Sequence, residues 1–169
     1  KANGGGLEGT TEEEQIADPL RIKKLYNKSV KHLSGGELQK VAVVACLLQK
    51  VDLYALDEPS AFLDVEDRIT IAKLIQRFVR SYGKSAIIID HDIQLMDLIS
   101  DSLVIFEGIP GKEGHGTSPM SKANGMNRFL KSLDITYRRD ETSLRPRVNK
   151  TDSRLDREQK QSGHFYYRN

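Results

Sequence analysis

The chain is poor in cysteine, in long apolar runs and in any surplus of one charge. Its one thiol, Cys46, excludes an internal disulfide framework and a four-thiolate metal or iron–sulfur site. No stretch approaches the roughly 18 apolar residues that a membrane helix needs. The opening Lys1-Ala2-Asn3-Gly4-Gly5-Gly6 leads into no apolar segment, so no signal peptide is legible. With 26 basic and 24 acidic residues the net charge is +2, which excludes an acidic or strongly basic chain but not a local basic patch. Thirteen glycines and five prolines among 169 residues are too few for a low-complexity chain. What remains suits one soluble, cytoplasmic, globular domain. An initial methionine is lacking too, and Lys1 is expected to lie partway through something larger.

Apolar periodicity supplies the elements. Residues 1–17 are Gly-rich, then acidic, and read as a linker or the edge of an insertion. A short helix is expected from Asp18-Pro19 to Tyr26. A clear one runs from Gly35 to Lys50, where Leu38, Val41, Ala42, Ala45 and Leu48 recur as one buried face. Ser34 and Glu37 at its start form a capping-box pattern, each side chain satisfying the other's backbone N–H. Val51 to Leu56 reads as a strand stopped at Asp57-Glu58-Pro59. Asp64 to Tyr82 is a long helix with Val65, Ile69, Ala72, Ile75, Phe78, Val79 and Tyr82 inward, ended by Gly83. Ala86 to Ile89 is a strand expected to be covered on both faces, Ile93 to Ile99 a helix, and Leu103 to Phe106 another strand. This alternation predicts an α/β fold with a parallel sheet. Beyond it come a loop at 108–116, a short helix from Met126 to Leu133, and a tail. Residues 137–169 carry nine basic against five acidic residues, which leaves the first 136 at −2. The expected divisions are 1–17, a helical part at 18–50, an α/β core at 51–109 and an extension at 110–169.

Four segments can carry chemistry. Asp57 and Glu58 end an apolar strand, and parallel α/β sheets bind ligands beyond their strands' carboxyl ends. One carboxylate there can hold Mg²⁺ and the other can polarise a water, although ordinary strand-to-turn junctions share this composition. Leu33-Ser34-Gly35-Gly36-Glu37-Leu38-Gln39 sets two residues without side chains at a helix N-terminus, where bare N–H groups suit a phosphate. The plainer alternative is a capped helix after a glycine turn. His91 closes the next strand, within reach of a terminal phosphate or as a structural residue. Ser60-Ala61-Phe62-Leu63-Asp64 turns into the long helix with Asp64 as its cap.

In this order and spacing the four segments resemble the ATP-binding-cassette (ABC) ATPases over residues 18–106: signature Leu33–Gln39, Walker B Val51–Glu58, D-loop Ser60–Asp64 and switch His91. The resemblance implies a P-loop NTPase-like nucleotide-binding domain that takes ATP with Mg²⁺. Asp57 resembles the aspartate that orients Mg²⁺ through water, Glu58 the glutamate that polarises the attacking water, and His91 the histidine that reads the γ-phosphate. Leu33, Ser34, Gly35, Gly36 and Glu37 match signature residues that face the ATP held by an opposite cassette. Ser60 and Asp64 match the D-loop, which couples the two sites.

A phosphate cradle needs Gly-x-x-x-x-Gly-Lys-Ser/Thr between a strand and a helix. Gly83-Lys84-Ser85 has Phe78 where the first glycine belongs, and it lies between a helix and a strand. The chain is therefore expected to be a partial cassette, completed by an amino-terminal part with the P-loop in the same or a separate polypeptide. That part's strand belongs inside this sheet, so the chain alone is expected to present an apolar edge and to aggregate or stay loosely packed.

After the core, Phe106–Gly111, Gly125–Leu130, Tyr137–Asp140, Arg145-Pro146-Arg147, Asn149-Lys150 and Asp156–Lys160 resemble the hinge-type extension of ABC subfamily E. These are the RNase L inhibitor-like ribosome-recycling factors of archaea and eukaryotes. The pattern Glu58-Pro59-Ser60-Ala61-Phe62-Leu63-Asp64 agrees, and the resemblance then runs from Asp18 to Tyr167. It implies two cassettes that split ribosomes by ATP-driven closure, with iron–sulfur clusters elsewhere in the full protein. The implied partners are the opposite cassette, the small ribosomal subunit with its rRNA, and release-factor-like proteins, with no membrane. Asp90 stands where the family usually has Glu, and Lys40 where Arg is usual. The basic tail either packs as a hinge or meets rRNA phosphates, whose binding is salt-sensitive. A transporter cassette and a non-catalytic interaction module compete with this reading. The tail motifs speak against the first, and the retention of Glu58 and His91 against the second.

Overall fold

Thr11 caps helix α1 (Glu12–Ala17): its hydroxyl accepts the Glu14 N–H at 3.3 Å while the Glu14 carboxylate accepts the Thr11 N–H at 3.1 Å. The computed structural model describes residues 11–140 and 146–167. The Gly-rich opening, Arg145 and Arg168 lie outside the described residues. The linker expected through residue 17 thus ends in a helix, whose Ile16 and Ala17 are buried. The helix expected from Asp18 to Tyr26 is reduced to a 3-10 turn at Ile22–Leu25, because Arg21 is left-handed at φ 54° and breaks the helical ladder.

Helix α2 (Gly35–Leu47) turns Val43, Val44 and Leu47 inward. This is not the expected face. Leu38 is 45% exposed, and Ala42, Ala45 and Leu48 are exposed as well. From Val41 to Leu48 the helix is apolar all round, so its period alone does not select the buried side.

Strands β1 (Leu53–Asp57) and β2 (Ser85–Ile89) pair in parallel, Leu53 opposite Ser85 and Asp57 opposite Ile89. Helix α3 (Val65–Ser81) is the crossover between them, and α4 (Ile93–Ile99) follows β2. The inner sheet face carries Tyr54 and Leu56, and the Tyr54 ring meets Phe78 of α3 edge-on with centroids 5.5 Å apart. Ile71 and Leu74 join the expected Ala72, Ile75 and Phe78 in the core, whereas Val65 and Tyr82 are exposed. The other sheet face is open: Leu53, Ile87 and Ile89 are 55%, 56% and 60% exposed. Full coverage of Ala86–Ile89 was the wrong expectation, because two strands and the helices on one side leave alternate residues uncovered. Lys84 pairs with Asp52 at 2.7 Å, so the Gly-Lys-Ser triplet belongs to a structural turn.

Contacts divide the chain between Ile99 and Ser100, ahead of the 109/110 boundary expected from composition. The second part holds β3 (Ser102–Leu103), β4 (Phe106–Ile109), β5 (Glu113–Gly116), β6 (Met120–Ser121), α5 (Lys122–Ser132), β7 (Tyr137–Arg139), β8 (Pro146–Val148) and α6 (Arg154–Ser162). The strand expected over Leu103–Phe106 does not extend the parallel sheet. Instead β3 pairs antiparallel with β6, and β4 folds back on β5 through residues expected to be a loop. Helix α5 lies so close to β3 that a Cβ on Gly125 would sit 2.6 Å from that of Leu103. Strands β7 and β8 form a third antiparallel pair. Near them the buried Thr136 hydroxyl donates to Asp156 Oδ1 at 2.6 Å and accepts from Asn149 Nδ2 at 2.8 Å. The described residues of the basic tail, 137–140 and 146–167, are thus folded, with buried polar contacts at Asn149 and Asp156. Among the described residues no helix is long and apolar enough to cross a membrane.

Candidate functional site

Parallel pairing of β1 and β2 sets the two sequence-predicted strand ends side by side. The Glu58 N–H continues the ladder by donating to the Ile89 carbonyl at 2.7 Å. Past that bond, His91 Nδ1 comes to 3.4 Å from Glu58 Oε1, with both side chains more than half exposed. An imidazole and a carboxylate at the carboxyl end of a parallel sheet can together address one water or phosphate oxygen. Glu58 itself is left-handed, at φ 46°. For a residue with a Cβ this costs on the order of 1–2 kcal/mol and must be stabilised by neighbouring bonds.

Asp57 ends β1 beside this pair. Among the described residues its carboxylate takes no hydrogen bond or ion pair, and no group of three metal-ligating side chains occurs. An exposed, acceptor-only group of this kind fits Mg²⁺, which keeps several waters and needs only one or two protein carboxylates beside phosphate oxygens.

The signature segment folds as its capping box predicts. Ser34 Oγ accepts the Glu37 N–H at 3.2 Å, and the Glu37 carboxylate accepts the Ser34 N–H at 3.0 Å and pairs with Lys28 at 2.9 Å. The Ser34 N–H, then the Lys28 ammonium, hold the Glu37 carboxyl below the usual carboxylate range. By helix geometry the N–H groups of Gly35 and Gly36 have no acceptor within α2, and the Ser34 hydroxyl proton is free of the cap. Three donors therefore stand together in the first turn of α2. Leu33 lies half-buried against the core just before it. Gly36 is required sterically: a Cβ there would come 2.9 Å from the Phe62 carbonyl oxygen.

That carbonyl belongs to the turn over Ser60–Asp64. Ser60 is 2% exposed, its hydroxyl donating to Asp90 Oδ1 at 3.0 Å and its N–H to Asp90 Oδ2 at 3.3 Å. Asp64 caps α3 by accepting the Asp67 N–H at 2.8 Å. Phe62 is left-handed at φ 62° and 81% exposed.

Sequence reasoning missed the residues that bind these parts to one another. Gln39 Nε2 donates to the Glu58 carbonyl at 3.0 Å, and Lys40 pairs with Asp67 at 2.7 Å. Arg68 donates to the Leu63 carbonyl at 2.9 Å and pairs with Asp92 at 2.7 Å. Partial burial works against ionisation of Asp92, but the Leu95 N–H, the Arg68 guanidinium and the Gln94 N–H outweigh it and hold its carboxyl below the usual range. Gln39 carried a signal: it stands three residues after Gly36, on the helix side that faces the turn.

A family model described as "ABC transporter" matches residues 7–61. An uncharacterised ABC transporter ATP-binding protein of Methanocaldococcus jannaschii is 50% identical over 90% of this chain and 26% of its own length. The translation initiation factor RLI1 of Saccharomyces cerevisiae is 48% identical over 90% of this chain and 25% of its own. Among solved structures, an archaeal ribosome recycling factor, aABCE1, crystallised with the ribosomal stalk protein aP1, superimposes with a TM-score of 0.88. It is 46% identical and is matched over 98% of this chain and 32% of its own. The chain spans about a quarter of the length of the curated relatives it matches.

Proposed function

The chain belongs to the E subfamily of the ABC ATPases, and on that premise we propose that it forms part of an ATP-hydrolysing cassette that acts in ribosome recycling. Glu58 polarises the attacking water and His91 reads the γ-phosphate beside it. Asp57 orients Mg²⁺ through water; that ion, when bound, neutralises charge on the phosphates. Leu33, Ser34, Gly35, Gly36 and Glu37 form the edge that meets ATP held by an opposite cassette, with the Gly35 and Gly36 N–H groups and the Ser34 hydroxyl as donors. Ser60 and Asp64 of the D-loop couple the two sites.

The observation that carries this reading is the Glu58–His91 pair at 3.4 Å, beyond the carboxyl ends of two neighbouring parallel strands. The open sheet face formed by Leu53, Ile87 and Ile89 supports a further requirement, a complementary segment that carries the P-loop and covers these residues. The remaining partners of the proposed cytoplasmic assembly are the small ribosomal subunit with its rRNA, a ribosomal stalk protein and release-factor-like proteins. Its iron–sulfur clusters belong to another part of the full protein.

The test is to mix the chain with a polypeptide that carries the P-loop segment and to measure ATP hydrolysis. Glu58→Gln is expected to lower turnover by about a hundredfold or more, while ATP stays bound and the closed state persists. Turnover at the parent rate refutes the assignment. Salt-dependent co-sedimentation with ribosomal subunits rather than with membrane vesicles separates recycling from transport.

A further inference from the structure

We infer that Gln39 is a positioning residue for Glu58, through which the start of the signature helix sets the aim of the water-polarising carboxylate in the same chain. The inference rests on the role proposed above for Glu58. A left-handed residue is held only by the bonds around it, and Glu58 has three through its backbone. Its N–H is fixed to the Ile89 carbonyl at 2.7 Å. Its own carbonyl accepts the Ala61 N–H at 3.0 Å, a bond internal to the turn. The remaining bond, from Gln39 Nε2 at 3.0 Å, comes from a side chain 19 residues earlier and ties the turn to α2.

The peptide plane after Glu58 shares its Cα, so fixing that plane restricts how the side chain leaves the backbone toward His91. Gln39 fixes that plane from one helical turn past Ser34, Gly35 and Gly36, the donors that face an anion. A displacement of the α2 start therefore reaches the Glu58 carbonyl through one amide. The alternative is that Gln39 only fills space in the hollow it lines with Ala42, Cys46 and Ala55. The two roles differ kinetically. Loss of filling lowers stability, whereas loss of aim lowers turnover and leaves nucleotide affinity intact.

The experiment measures ATP hydrolysis by the assembly that the proposed function requires, namely this chain with the P-loop segment and the opposite cassette. Parent, Gln39→Met and Glu58→Gln are compared. Methionine keeps the length of the side chain and removes the donor. Gln39→Met is expected to lower kcat about tenfold, because slight misplacement of a reacting group is costly. The KM for ATP should stay within about twofold, and the melting temperature within about 2 °C. A kcat within twofold of the parent overturns the inference, as does a kcat loss matched by a rise in KM. If Gln39→Met melts early, the isosteric Gln39→Glu, which turns an acceptor toward the carbonyl, is judged by the same criteria. A slow Glu58→Gln beside an unaffected Gln39→Met defeats this inference alone, whereas Glu58→Gln at the parent rate defeats the function reading beneath it.

Discussion

Replacing Gly35 and Gly36 each by alanine tests whether the Ser60–Asp64 turn is as firmly held as its bonds imply. A Cβ on Gly36 would lie 2.9 Å from the Phe62 carbonyl oxygen, and ordinary contact begins at 3.4 Å. Something must therefore move by about half an ångström. The obstructing atom is backbone, in a turn pinned by Ser60 to Asp90 and by Gln39 to the Glu58 carbonyl. Overpacking of this kind costs about 1–3 kcal/mol, and the helix-propensity gain of at most about 1 kcal/mol offsets it only in part. A Cβ on Gly35 would lie 3.3 Å from Phe62 Cβ and Cγ, a milder contact with a side chain 81% exposed to solvent. Against it stands a helix-propensity gain of at most about 1 kcal/mol, so Gly35→Ala should fall within about 0.5 kcal/mol of the parent. Urea unfolding followed by circular dichroism at low chain concentration resolves the pair. With a slope of about 1–2 kcal/mol per molar, Gly36→Ala should lower the midpoint by about 1 M. Gly35→Ala should leave it nearly unchanged. Equal midpoints for the two variants would mean that the turn yields freely, which refutes the claim that it is clamped.

Two further outcomes follow from other parts of the molecule. The open sheet face should drive association of the isolated chain, so Ile87→Thr with Ile89→Thr should reduce its light scattering without loss of helical circular dichroism; undiminished scattering would place the sticky surface elsewhere. Asp92 ionises more readily folded than unfolded, so its stabilisation is complete above about pH 4 and is lost as pH falls through the lowered folded value. Asp92→Asn should flatten the fall of the urea midpoint below pH 4, and an unchanged slope would assign the acid sensitivity to other carboxylates.

Signals that depend on one residue type at one spacing could be read in advance. The Ser34–Glu37 capping box, the stop of β1 at Pro59 and the long period of α3 all came from such local rules. Thr11 and Glu14 carry the same box, a legible signal set inside an acidic run. Choices between equivalent surfaces were not legible. Helix α2 is apolar on every side from Val41 to Leu48, and only tertiary contacts decide that Val43, Val44 and Leu47 go inward. The run Ala86–Ile89 records what the side chains are, not how many faces are covered. The hairpin of β4 and β5 hid behind four glycines, since composition that favours turns does not exclude short strands between them. In the site, the strand-end residues Asp57, Glu58 and His91 could be named because their positions follow from sheet topology. The bonds that join α2 to the turn and to α3 connect residues 19 and 27 apart, which no local pattern encodes.

Those bonds bear on how a cassette reports from one nucleotide to another. In the proposed function, Glu58 and His91 serve one ATP, while the Ser34–Gly36 helix start serves the ATP of the opposite cassette. Within this chain the two stations are not independent. The amide of Gln39 holds the Glu58 carbonyl, and the Lys40 ammonium, 14% exposed, holds Asp67 at the start of α3. A neutral hydrogen bond contributes about 1 kcal/mol net, and a charge-assisted one about 2. Sliding α2 against the turn breaks both at once, and about 3 kcal/mol reduces the population of such a state by roughly 150-fold. A helix start held by both bonds moves with the turn and α3, so in the proposed function a shift driven by phosphate at Glu58 and His91 is delivered to the Ser34–Gly36 helix start. Freely additive effects of Gly36→Ala and Glu58→Gln on turnover would contradict this, because parts that move as one body give non-additive losses.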